Sequence, residues 1–213
     1  MSSSSQCWFG TRKTAWAVAA VALGVGLCGS ALAAETSQRS SNDGLQMCTG
    51  TYALCDAAAC TPIAEQQGYP GPPEAKPSHA LCSCVVENGQ NLGPGACSDR
   101  APRGKKGEYI LSTYSYALHK PYLTCPAGGN RTVCFGYPCR IDEKHPELAH
   151  CTCPITYDSG EFKTQGGGCN VASCSKDLWQ GGTQAEYDLI NKKFTEATGQ
   201  PAPPNCAAIV KPK

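Results

Sequence analysis

The spacing of the cysteines is the strongest constraint that this chain places on its fold. The motif Cys82-Ser83-Cys84 returns as Cys151-Thr152-Cys153, and a C-x4-C pair precedes each copy, at Cys55/Cys60 and at Cys134/Cys139. A proline and an alanine stand five and two residues before each C-x-C motif, which cysteine spacing alone does not require. The pattern therefore predicts a duplication, with two cysteine-framed modules in tandem.

Each predicted module holds six cysteines and is expected to form a small antiparallel sheet. We expect module 1 to cover residues 48–97 and module 2 to cover residues 125–174. The cysteines of module 1 are Cys48, Cys55, Cys60, Cys82, Cys84 and Cys97, and those of module 2 are Cys125, Cys134, Cys139, Cys151, Cys153 and Cys169. Six cysteines can pair in many ways, so the bridges within a module stay open. The predicted fold class is a small, disulfide-rich, mainly β protein with one C-terminal amphipathic helix.

The N-terminal segment has the pattern of a secretory signal. Arg12-Lys13 precedes an apolar run from Ala15 to Leu27, and Ala31-Leu32-Ala33 supplies a small-x-small cleavage site. We expect a signal peptide over residues 1–33 and a flexible polar leader over residues 34–47. Because the apolar run is shorter than the roughly 20 residues of a spanning helix, no membrane span is expected after cleavage.

Cysteine count and charge limit the compartment and the partners. Without residues 1–33 the chain keeps 14 of its 16 cysteines, enough for seven disulfides, and 16 basic against 17 acidic residues. Disulfides persist in oxidising compartments, so a periplasmic or extracellular location is predicted. A balanced charge gives no electrostatic reason to expect binding to nucleic acid or to a membrane surface.

A tyrosine-rich connector, residues 98–124, joins the two modules. Residues 108–116 are rich in strand-favouring residues and predict a strand that bridges the modules. Four tyrosines mark this region: Tyr109, Tyr114, Tyr116 and Tyr122. They suit either a ligand-binding platform or aromatic packing over a thin core.

The last segment, residues 175–213, is predicted to hold one helix at about 183–199 and a proline-rich tail. Thr183 and Glu186 have the spacing of a capping box, and Gly199 followed by Pro201 ends the helix. An apolar stripe should dock this helix, formed by Tyr187, Ile190, Phe194 and Ala197. Cys174 and Cys206 flank the helix outside the six-cysteine match, so we expect them to pair.

Turn signals complete the expected topology. Asn88-Gly89 and residues 158–160 each follow a short apolar run after a C-x-C motif, and both predict hairpins. The C-x4-C pairs suit tight connections between short strands. Prolines around residues 68–76 predict an exposed insertion in module 1, and residues 166–168, all glycine, predict a turn.

The cysteine pattern favours disulfides over a metal or redox site. On a strand, Cys82 and Cys84 share one face but lie too far apart to bridge each other, while His79 and His150 occupy the opposite faces of their strands. No C-x-x-C, C-x-x-C-H, G-x-S-x-G or H-E-x-x-H motif is present in the sequence. Residues 142–147 are expected to form a solvated loop, and no cofactor, metal or catalytic residue is indicated.

The sequence supports two functional hypotheses and leaves a third open. The first is an exported, non-enzymatic binding scaffold whose loops and tyrosine-rich strand hold an unknown protein or carbohydrate. The second is a periplasmic metal-binding or thiol-redox protein that uses Cys82, Cys84, Cys151 and Cys153. The third is an enzyme whose site is dispersed over loops.

Overall fold

The computed structural model describes residues 44–63 and 76–206. The predicted signal peptide, most of the leader, most of the proline-rich insertion and residues 207–213 lie outside these ranges. The strands are β1 (Leu45–Leu54), β2 (Ala59–Ile63), β3 (His79–Pro94), β4 (Tyr109–Thr113), β5 (Leu123–Cys125), β6 (Arg131–Thr132), β7 (Pro138–Ile141), β8 (Leu148–Thr156), β9 (Phe162–Thr164) and β10 (Leu178–Gln180). The helices are α1 (Ser173–Lys176) and α2 (Gln184–Thr198). The mainly β, disulfide-rich class with a C-terminal helix is confirmed.

One sheet closes on itself, in the order β1-β3-β2-β10-β6-β8-β7-β4 and back to β1, while β5 and β9 form a separate pair. In addition, β3 pairs directly with β8, so the two C-x-C strands lie side by side and antiparallel. Cys82 stands opposite Cys151, and Cys84 stands opposite Ala149. All four of these side chains are buried because alternate residues of a strand point to the same face. The duplication itself remains a prediction.

The core inside this sheet is built mostly from sulfur. Eight of the 13 residues in its largest buried cluster are cysteines, four are alanines and one is Ile110. Such small side chains bury little apolar area each, so burial alone stabilises this sheet weakly. The bridges that join them must supply much of the remaining stability.

The predicted bridging strand is confirmed in β4. It runs parallel to β1, where Ser112 pairs with Ala53, and antiparallel to β7, where Ile110 pairs with Cys139. A strand of the connector thus lies between a strand of each cysteine-framed segment. The C-x4-C pairs also form the tight connections expected, because the N–H groups of Ala58 and Tyr137 donate to the carbonyls of Cys55 and Cys134.

Two expectations about strand ends are wrong. β3 runs without a turn through Asn88 and Gly89, which pair with residues 51 and 50 of β1. The long ladder that β1 offers overrides the local turn preference of Asn-Gly. The leader also ends earlier than expected, since residues 45–47 already belong to β1 and pair with the end of β3.

The second turn signal bends the chain but makes no hairpin. Asp158 adopts a φ of 47°, in the left-handed region that Asp tolerates in turns. The strand that follows, β9, pairs with β5 and not with β8. Turn chemistry therefore identified the bend, while the pairing partner was decided elsewhere in the chain.

The predicted C-terminal helix is confirmed as α2, with its capping box of Thr183 and Glu186. Gly199 ends it at a φ of 72°, in the left-handed region that glycine adopts without strain. Tyr187 and Phe194 are buried and Ile190 packs beside them, but Ala197 is exposed, so the docking stripe is shorter than expected. Among the described residues, no helix is long and apolar enough to cross a membrane.

Candidate functional site

Seven disulfides join all 14 cysteines of the described residues. The bridges are Cys48–Cys97, Cys55–Cys84, Cys60–Cys82, Cys125–Cys174, Cys134–Cys153, Cys139–Cys151 and Cys169–Cys206. Cys82 and Cys84 have different partners, as strand geometry predicts. In each module the first cysteine of C-x4-C pairs with the second of C-x-C, and the second pairs with the first. The two modules thus share the pattern of their central bridges.

The expected Cys174–Cys206 bridge is wrong. Cys174 pairs with Cys125, and Cys206 pairs with Cys169. The Cys125–Cys174 bridge spans 49 residues, the same separation as Cys48–Cys97, so by sequence separation Cys174, and not Cys169, corresponds to Cys97. The cause is spatial, because these four cysteines belong to one buried cluster in which sequence spacing does not choose the partner.

The sulfur atoms of neighbouring bridges come close enough to resemble a metal cluster. Cys55, Cys84 and Cys151 form one such group, and Cys60, Cys82 and Cys134 form another. Each group contains both halves of one disulfide and one half of the next. Metal ions and redox partners require a thiolate, which a bridged cysteine does not offer. The oxidised structure therefore gives no support to the metal or redox hypothesis.

A count of reactive thiols tests this assignment. Residues 34–213, denatured without a reducing agent, should show close to zero thiols per chain because every cysteine in that range is bridged. A chromogenic thiol reagent in guanidinium chloride measures the number directly. Two or four thiols per chain would restore the metal or redox hypothesis.

Three of the four tyrosines proposed as a binding surface lie inside the protein. Tyr114, Tyr116 and Tyr122 are only 1–2% exposed, and they pack against Tyr187 and Phe194 of α2. Asn191 joins their hydroxyl groups, because its Oδ1 accepts from Tyr114 and Tyr122 and its backbone carbonyl accepts from Tyr116. Only Tyr109 is exposed. The expected four-tyrosine surface is therefore not formed, and the packing interpretation applies to the three buried residues.

A cavity of about 280 Å³ lies beside Trp179 and is named here the Trp179 pocket. Its walls are Ala57 after β1, Lys120 and Pro121 before β5, residues 165–168 after β9, and Trp179 of β10. Gln165 ties these segments together. Its backbone N–H donates to the carbonyl of Asp56 at 3.0 Å, and its Nε2 donates to the carbonyl of Lys120 at 2.8 Å.

The glycines allow the indole ring to sit against the backbone. A Cβ on Gly166 would fall inside the contact distance of several ring atoms of Trp179, so this position accepts only glycine without movement of the ring. The indole N–H donates to the carbonyl of Ser173 at 3.3 Å, which fixes the ring from its other edge. The predicted turn at residues 166–168 is thus one wall of a pocket.

Two residues in the segments that form this pocket carry a buried side-chain oxygen without a partner. Gln165 Oε1 and Asp56 Oδ2 are covered, and neither has a hydrogen bond among the described residues. Burial raises the pKa of the Asp56 carboxyl to about 8, although the N–H of Ser115 acts in the opposite direction. Asp56 is therefore protonated at neutral pH. No sequence motif points to Asp56, Gln165 or Trp179, because these residues come from three separate segments.

The chain matches no protein-family model, and no curated protein or solved structure shows significant similarity to it.

Proposed function

We propose that this protein is an exported binding protein that holds a sugar ring of a carbohydrate in the Trp179 pocket. The single observation that carries the proposal is a small pocket with an indole ring in a wall that also holds an amide. Sugar rings offer an apolar C–H face for an aromatic side chain and hydroxyl groups for amides. The disulfide-rich character of the chain suits an oxidising compartment, periplasmic or extracellular.

The lining of the pocket supports this ligand class. Ala57, Pro121 and the glycines contribute mostly apolar surface, and the Gln165 amide adds hydrogen-bonding capacity at the wall. Its Oε1 has no hydrogen-bond partner among the described residues and is covered in the free protein, so a sugar hydroxyl reaches it only when the amide turns toward the pocket. The volume of about 280 Å³ lies near the lower end of ligand pockets, so one ring at a time fits it.

Rigid support also favours binding. The loop of residues 166–168 leads directly into Cys169, and β10 with Trp179 follows Cys174, so two bridges hold the walls of the pocket. A preformed site loses little conformational entropy when a ligand binds. The disulfides therefore both stabilise the fold and hold the pocket in a shape that is ready to bind.

Tryptophan fluorescence tests the proposal. In residues 34–213 Trp179 is the only tryptophan, so its emission reports on this pocket alone. We expect saturable changes when neutral hexoses, N-acetylhexosamines or their short oligomers are titrated in. Gly166→Ala should weaken the affinity for the sugar at least tenfold, because the Cβ of the alanine displaces the indole.

A matched control variant distinguishes a loss of affinity caused by the pocket from one caused by any substitution in this part of the chain. Val171→Ala changes an exposed side chain close to the pocket loop and should leave the affinity unchanged. If no sugar in the panel alters the emission of Trp179, while acrylamide quenches it and so shows that the ring is accessible, the carbohydrate assignment is wrong.

A further inference from the structure

Three polar side chains on the outer face of the sheet stand in the order of a catalytic triad. Ser83 of β3 lies directly opposite His150 of β8, and Asp142 follows β7. Ser83 and His150 point outward because their neighbours Cys82, Cys84 and Cys151 point into the core. None of the three residues lines the Trp179 pocket.

Distances join the three groups into one chain. The Ser83 hydroxyl lies 3.4 Å from His150 Nδ1, and His150 Nε2 lies 3.0 Å from Asp142 Oδ2. The order is hydroxyl, imidazole and carboxylate, which is the arrangement of a nucleophile, a base and the group that orients the base. The first distance is longer than an ideal hydrogen bond, as is common before a substrate binds.

Asp142 determines which nitrogen of His150 acts as the base. Its Oδ1 accepts hydrogen bonds from the backbone N–H groups of Lys144 and His145, at 2.8 and 2.9 Å. The bond to His150, followed by these two, lowers the pKa of Asp142 to about 2. The ionised carboxylate accepts hydrogen bonds only, so the neutral form of His150 carries its proton on Nε2. Nδ1 then keeps a lone pair that faces the Ser83 hydroxyl.

The disulfides hold this arrangement in place. Ser83 stands between Cys82 and Cys84, and His150 directly precedes Cys151, so three bridged cysteines flank the two reacting side chains. On the far side of His150, Arg140 of β7 is its cross-strand neighbour. Positions fixed by a rigid sheet preserve the geometry that a catalytic group requires.

We propose that Ser83, His150 and Asp142 form an acyl-transfer site that hydrolyses small esters. Ser83 Oγ forms a bond to the ester carbonyl carbon while its proton moves to His150 Nδ1. The bond from that carbon to the alcohol oxygen then breaks, and the alcohol leaves with the proton from Nδ1. Water next attacks the acyl-serine and gives its proton to Nδ1. Collapse of that intermediate releases the acid and returns the proton to Ser83.

The surroundings indicate the kind of ester. Leu81 is 41% exposed and lies two residues before Ser83 on the same face of β3, which places an apolar contact beside the nucleophile. Short apolar acyl groups, such as acetyl and butyryl, suit this position. Because Ser83 is exposed to water, stabilisation of the oxyanion is weak, so esters with a good leaving group are the suitable probes.

Hydrolysis of p-nitrophenyl acetate and butyrate by residues 34–213 tests the proposal. We expect Ser83→Ala to reduce the observed hydrolysis rate to that of buffer alone. Asp142→Asn should reduce the protein-dependent part of the rate about tenfold and change its pH profile. Mass spectrometry of acid-quenched protein should find the acyl group on the Ser83 peptide. The thiol count and circular dichroism of each variant establish that the fold is intact.

A second serine–histidine pair supplies the matched control. Ser78 Oγ lies 2.8 Å from His79 Nδ1, and no carboxylate is bonded to His79 in the part of the chain that the structure describes. His79→Gln should therefore leave the rate unchanged. The proposal is overturned if Ser83→Ala hydrolyses both esters at the parent rate, or if the acyl group is found only on histidine or lysine.

Discussion

Mild reduction should open Cys48–Cys97 and Cys169–Cys206 before any bridge of the closed sheet, and complete reduction should unfold the protein. Cys97 is exposed and Cys169 is half-buried, whereas the eight cysteines of the central bridges are buried. Thiol–disulfide exchange requires access to a sulfur atom. The two outer bridges therefore react in the folded state. The central four and Cys125–Cys174, whose cysteines are all buried, react only when the structure opens.

Reduction should lower the free energy of unfolding strongly, because little apolar burial stabilises the closed sheet. A bridge that closes a 15-residue loop contributes about 3 kcal/mol in the chain-entropy model. Loop separations here run from 12 to 49 residues. Loss of several such bridges exceeds the roughly 5–15 kcal/mol by which a domain is usually stable. The small side chains of the core cannot replace that contribution.

Timed reduction followed by alkylation and mass spectrometry measures the order, with circular dichroism recorded in parallel. We expect the near-ultraviolet signal to persist after two bridges open and to disappear together with the remaining ones. A fully reduced protein that kept its near-ultraviolet signal would contradict the explanation. So would a central bridge that opened first. Reduction in guanidinium chloride is the control, since all seven bridges should then open without this order.

Asp56→Asn should stabilise the protein at neutral pH and abolish a loss of stability between about pH 4 and pH 8. Asp56 is buried, its Oδ2 has no partner among the described residues, and burial raises the pKa of its carboxyl to about 8. The unfolded chain releases the same proton near pH 4. Between these values only the folded state binds the proton, so the free energy of unfolding falls as pH rises.

The expected magnitude is large for one side chain. Each pKa unit corresponds to about 1.4 kcal/mol, so the full shift amounts to several kcal/mol, present below pH 4 and lost by pH 8. Asparagine keeps the shape of the protonated acid but does not ionise. The variant and the parent should therefore have similar stability at pH 4, and the variant should be more stable at pH 8.

Guanidinium unfolding with the disulfides intact, repeated from pH 4 to pH 8, measures this difference. Asp158→Asn is a matched control, because Asp158 is exposed and asparagine also tolerates its left-handed backbone. That variant should follow the parent curve. If Asp56→Asn has the same pH slope as the parent, Asp56 is not the group that binds the proton in the folded state.

Local patterns predicted the elements that depend on local chemistry. The capping box of Thr183 and Glu186, the end at Gly199 and the common face of Cys82 and Cys84 each depend on residues a few positions apart. The strand at Tyr109 was predictable for the same reason, since β propensity and alternation are properties of a short segment. The turn predicted at Asn88-Gly89 does not form, because these residues pair with β1 instead. Thr51, the partner of Asn88, lies 37 positions earlier in the chain.

The residues of the two proposed sites could not be predicted from local patterns. Trp179, Gln165 and Ala57 line one pocket only because strand β10 and two loops converge, and no sequence spacing predicts that arrangement. Ser83 and His150 are 67 residues apart, and they face each other only in the register that β3 and β8 adopt. A shift of one residue in that register would place the two side chains on opposite faces of the sheet.

By itself the sequence determined that this chain is a cysteine-framed, mainly β protein with a capped terminal helix, because cysteine count, strand alternation and capping are local or compositional properties. Only the tertiary structure decided which cysteines pair, that three of the four connector tyrosines are covered by α2, and which polar groups meet on the outer face. The physical reason is that bridges and sites depend on distances between remote segments. Those distances are set by the simultaneous pairing of all the strands, which no single stretch of the chain encodes.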